Sequence, residues 1–193
     1  MLDKTGKALL LANMAVIAVF MVFGLGFAHI VWTYWIESLA IGVFTALSMF
    51  MASIQSKERG GLIAGISMSG FFCFHYGLFH AAYLILLSAL SIWPDPGDFA
   101  LLALCGAILS LAHLYSFSEN TLGRHEIEMK SVLSMKSVIS QSVETYRAIA
   151  PMHLVMLLSV AGLFLGIQDA GARTLLVLLL MGIKTAADLL RRG

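Results

Sequence analysis

Six apolar stretches of about 20 residues each, with few or no charges inside them, fill most of this 193-residue chain. A helix rising about 1.5 Å per residue needs ~20 apolar residues to cross a hydrocarbon core of ~30 Å. The stretches lie near 8–28, 33–54, within 62–92, and near 99–117, 149–167 and 172–190. The third is too long for one untilted crossing, so it tilts or extends past the bilayer. Composition agrees: 60% of residues are hydrophobic and 12% charged, where a soluble domain carries about one-quarter charged residues. The expected fold is all-α, a polytopic membrane bundle of six transmembrane helices forming one domain over 1–193. A net charge of +1 suggests no nucleic-acid partner.

Basic residues orient the bundle. Lys4 and Lys7 precede the first stretch, and Lys57 and Arg59 separate the second from the third. Arg124, Lys130, Lys136 and Arg147 separate the fourth from the fifth, and Lys184, Arg191 and Arg192 close the chain. With six crossings all of these share one side and only Arg173 faces the other. The positive-inside rule then places both termini in the cytoplasm, for a multi-pass protein of the inner (cytoplasmic) membrane. Trp32, Trp35 and Trp93 fall near the outer face, as an interfacial belt does. Gly24 and Gly26 make a weak signal-peptide cleavage site, and the later spans favour a retained first helix. Cys73 and Cys105 read as buried small hydrophobes. In the polar segment 119–148, Val132, Met135, Ile139, Val143 and Tyr146 recur at helical spacing. That pattern fits an amphipathic helix on the membrane surface or one packed on the cytoplasmic ends of the spans.

Ionisable residues inside spans are costly and normally face the bundle interior. Here they are Glu37, His75, His80, His113, His153, Lys184 and Asp188. Counting rise per residue puts His113 about 9 Å, His153 and Asp188 about 6 Å, and Lys184 about 12 Å above the inner boundary. Glu37 comes out about 6 Å below the outer boundary, at a level His80 shares. His75 and His80 are about 140° apart on an ideal helix, so they serve different directions. The expectation is His75 facing the interior with His113, His153 and Asp188, and His80 pairing with Glu37 or Tyr76. Each residue also has a plainer role: a lone imidazole is commonly a packing residue, and Lys184 and Asp188, four apart, neutralise each other. His29 and His125 fall in connections and receive no role.

Trp35-Ile36-Glu37, Phe71-Phe72 with His75-Tyr76-Gly77 and His80, His113, Pro151 with His153, and Lys184-Thr185 with Asp188 resemble an uncharacterised family of bacterial polytopic membrane proteins, a domain of unknown function. The resemblance covers nearly the whole chain, and the histidine-tyrosine-glycine element is its most specific part. That family tends to carry serine before the fourth-span histidine; Ala112 stands there, which weakens a nucleophile role. The resemblance implies no activity. It implies that these polar positions are the ones to watch.

Four functions fit the set. In a metal-dependent enzyme acting at the bilayer, by hydrolysis or lipid modification, His75, His113, His153 and Asp188 hold a divalent metal, zinc or iron. Glu37 and His80 then act as acid–base groups, and Lys184 steadies an anion. In a metal-ion or proton transporter or channel, the same residues form a ladder. A haem protein needs two histidines at one level on facing helices. In a structural protein the polar groups only fix packing. The chain shows neither an internal repeat nor a mid-span proline, which favours a fixed site over alternating access. Expected partners are membrane lipids, a divalent metal ion and, through the small residues from Gly60 to Gly70, a second copy in a homo-oligomer.

Overall fold

The computed structural model describes residues 3–55 and 61–119, together with 153, 157, 161, 179, 182, 183 and 185. Four long helices appear there: α1 (Lys4–Phe23), α2 (Phe27–Gln55), α3 (Gly61–Ala89) and α4 (Phe99–Phe117). A short 3-10 turn, Pro96–Asp98, leads into α4. All four helices are long and apolar enough to cross a membrane. Their outward surfaces carry Leu11, Val22, Ile63, Phe74, Ile85 and Leu111, all well exposed, an apolar coat suited to lipid. Of the expected fifth and sixth spans only those seven single residues are described, and the 119–148 segment beyond Glu119 lies outside the described residues.

Local chemistry sets the helix ends. Asp3 caps α1, its carboxylate accepting from the Gly6 amide at 2.7 Å and the Thr5 hydroxyl at 2.8 Å. Gly24, with φ of 62°, then turns the chain left-handed, and the Leu25 amide donates to the Phe20 carbonyl. This corrects the expected first two boundaries. Gly24-Leu25-Gly26 closes α1 at Phe23 and lets α2 begin six residues before position 33. Ser91, with φ of 53°, ends α3 in the same way, as the Ile92 amide reaches back to the Leu87 carbonyl.

α2 packs against both α3 and α4, and α4 also packs against α1. On α3, Ser69, Phe72, Tyr76, His80, Tyr83 and Leu87 are buried at three- and four-residue steps, which is one helix face. Two glycines allow close approach. A Cβ on Gly42 would collide with the Tyr76 ring, and one on Gly106 would lie 2.8 Å from Ile36 Cγ2. α2 thus meets α3 and α4 at small residues, as membrane helices do. Cys105 is buried, whereas Cys73 is exposed on the outward face of α3, contrary to expectation; both are free thiols.

The tryptophans form one cluster. Trp32 stacks on Trp93 at 4.7 Å, meets Trp35 edge-on at 5.5 Å, and donates from its indole N–H to the Ile92 carbonyl at 2.7 Å. They tie the first turns of α2 to the segment that follows α3.

Candidate functional site

The centre of the site is a carboxylate and an imidazole on adjacent helices. Glu37 on α2 has no exposed surface. Its Oε1 lies 3.0 Å from Nε2 of His113 on α4. A carboxylate only accepts, so with Glu37 ionised the His113 Nε2–H donates. This contact corrects the expected level of Glu37 and the expected partner. Counting depth from separate span starts placed the two residues near opposite faces. α2 begins earlier than its apolar run suggested, which sets Glu37 further along its helix.

Glu37 is not isolated on α2. His29, Thr33 and Glu37 follow at four-residue steps and are all buried, so they form one stripe about 12 Å long. At its head, His29 Nε2 stands 3.1 Å from Asp98 Oδ2, at the start of α4. The Asp98 side chain is 35% exposed, so that end opens toward the surface. Thr33 Oγ1 is buried and makes no hydrogen bond among the described residues. Beyond His113, Ser116 is buried one turn further along α4, and Phe44 stacks on Phe117 at 5.5 Å. His29, Thr33 and Asp98 were missed from the sequence. The i, i+4, i+8 spacing of the first two with Glu37 is visible in the sequence, but it counts only if all three stand on one helix, and hydropathy puts His29 in a connection.

The α3 residues form a second polar group on the other side of α2. The Tyr76 hydroxyl donates to the Ser38 carbonyl, and the Ser38 hydroxyl meets the Tyr76 oxygen, both at 2.6 Å. His80, 3% exposed, places Nδ1 3.1 Å from the Tyr76 carbonyl. Its own carbonyl accepts from the Trp35 indole at 3.4 Å. The interior-facing histidine of α3 is therefore His80, and its bond goes to Tyr76, the second of its two expected partners. His75 is half-buried, stacked on the exposed Phe71 at 5.6 Å and edge-on to Phe79 at 5.0 Å. Of the two histidines it is His80 that is buried and His75 that is half-buried, the reverse of the expected directions.

His153 is half-buried and lies against Phe79 at 5.6 Å and Tyr83 at 5.3 Å, both edge-to-face. Lys184 and Asp188 lie outside the described residues. Among the described residues no three His, Cys, Asp or Glu side chains gather to hold a metal ion.

Residues 2–192 match a family described as a family of unknown function, DUF6498, and the chain belongs to it. No curated protein and no solved structure matches the chain.

Proposed function

We propose that this member of a family of unknown function is an integral membrane protein that passes protons along the seam between α2 and α4, with Glu37 and His113 as the exchanging pair. The carrying observation is the wholly buried Glu37 carboxylate, 3.0 Å from the His113 imidazole, at the end of a buried stripe that begins at His29 and Asp98. Carboxylates and imidazoles inside spans mark proton relays. Steps of four residues are about 6 Å along the helix, a gap one bridging water fills. The seam favours a proton over a hydrated metal ion. Ile36 presses on Gly106 beside it, and a hopping proton needs hydrogen-bonding groups where a hydrated ion needs an open bore.

The assignment includes six crossings, cytoplasmic termini and an inner-membrane location, all supported by the partition of Lys and Arg. The test is reconstitution into vesicles holding a pH-sensitive dye, under an imposed potassium diffusion potential. The parent chain acidifies or alkalinises the lumen, and Glu37→Gln, which cannot ionise, falls to the level of empty vesicles. Equal flux in the two, or no flux from the parent, rejects the reading.

A metal-dependent enzyme acting at the bilayer is the second reading, with His75, His113, His153 and Asp188 as ligands. What favours it is the Glu37–His113 bond, because a carboxylate held to one imidazole nitrogen orients the other toward a metal. There Glu37 and His80 serve as acid–base or orienting groups, and Lys184 binds an anion. Metal loss on His113→Ala separates this reading from the first.

A further inference from the structure

His80 is in a chemically defined state that the Glu37–His113 pair does not use. Its Nδ1 lies 3.1 Å from the Tyr76 carbonyl. A carbonyl only accepts, so Nδ1 carries the proton, and in the neutral ring Nε2 is a bare lone pair. That Nε2 is buried and has no hydrogen-bond partner among the described residues. Burying an acceptor without a donor costs about 1–3 kcal/mol. A proton fixed on one nitrogen by a backbone carbonyl, with the other nitrogen presented bare, is how proteins hold histidine for a metal.

A second imidazole is near. His153 packs on the rings of Phe79 and Tyr83, one residue before and three after His80 on α3. The two rings it touches flank His80 along α3. A shared cation binds both imidazoles as neutral ligands. Imidazole nitrogen suits zinc, copper, iron and nickel, not magnesium or calcium.

We infer that His80 and His153 together bind a divalent transition-metal ion, with His80 Nε2 as the pre-oriented ligand and zinc as the ion to test. This pair shares only His153 with the His75, His113, His153 and Asp188 set, and His75 stacks on Phe71. It stands apart from the proton path, so either can fail alone.

The full chain in lipid nanodiscs, stripped with chelator, is loaded with zinc and desalted. The parent retains zinc stoichiometrically. His80→Ala and His153→Ala, each checked by circular dichroism, retain at least about tenfold less, while His75→Ala and His113→Ala retain it. Pulsed electron paramagnetic resonance on the copper-loaded parent needs no substitution and reads two coordinated imidazoles. A parent that retains no zinc, equal retention by folded His80→Ala, loss from His113→Ala as deep as from His80→Ala, or fewer than two coordinated imidazoles overturns the inference.

Discussion

Glu37 and His113, 76 positions apart in the chain, meet across the α2–α4 seam with 3.0 Å between Oε1 and Nε2. An ionisable pair at this depth is a liability unless each member satisfies the other. The bond therefore holds the bundle together as well as supplying the centre of the site.

That double role makes stability and function separable. His113→Ala leaves the hydrogen bond unmade and destabilises the bundle by about 1–3 kcal/mol. Glu37→Gln keeps an acceptor for Nε2–H and costs less, while removing the ionisable group. A double-mutant cycle on the two positions, read by unfolding in detergent, returns a coupling of about 0.5–3 kcal/mol. A coupling near zero means the contact does not form.

Gly42 and Tyr76 make a second, purely steric test. A methyl group on Gly42 would occupy the space of the Tyr76 ring, and that ring is fixed by its hydroxyl on the Ser38 carbonyl. Gly42→Ala is expected to destabilise by about 1–3 kcal/mol, as overpacking does. Adding Tyr76→Leu relieves part of the loss. Thermal unfolding of the single and double variants measures both effects.

Six crossings with cytoplasmic termini predict that single cysteines introduced at Gly97 and Gly193, in a background lacking Cys73 and Cys105, label from opposite sides in intact cells. Gly97 sits in the turn before α4. Gly193 lies beyond the fifth and sixth apolar stretches. Labelling of both from one side removes the six-span drawing and, with it, the cytoplasmic assignment of the C-terminus.

What the sequence made legible follows from which signals are local. The fourth span was read to its ends, because Pro94 and Pro96 punctuate its start and an apolar run fills it. The start of α2 at Phe27 is not legible in hydropathy. Hydropathy discounts His29, Thr33 and Trp32, so a helix that opens with buried polar groups looks like a connection. The polar positions themselves were recognisable, since ionisable groups in apolar runs stand out. Their pairing was not. The 140° rule separates His75 from His80 but does not say which faces inward, and that choice rests on the buried line through Ser69, Tyr76 and Tyr83. Likewise Glu37 finds His113 through the packing of Gly106 on Ile36, which no spacing in one helix reveals.

Thr33 offers the sharpest separation of path from packing. Its Oγ1 is buried between His29 and Glu37 on the same stripe and makes no hydrogen bond among the described residues. In a protein where that hydroxyl only fills space, Thr33→Val removes a poorly satisfied polar atom at nearly constant volume and leaves stability unchanged or slightly raised. In a proton path, the same change deletes the relay between the surface-facing His29–Asp98 pair and Glu37. Losing one hydrogen-bonded step of about 1 kcal/mol slows transfer roughly five- to tenfold. The expected result is that the Thr33→Val variant unfolds no earlier than the parent yet moves protons into vesicles several-fold more slowly, with Thr33→Ser restoring the rate. Undiminished flux in Thr33→Val removes this residue from the path and leaves the stripe as packing.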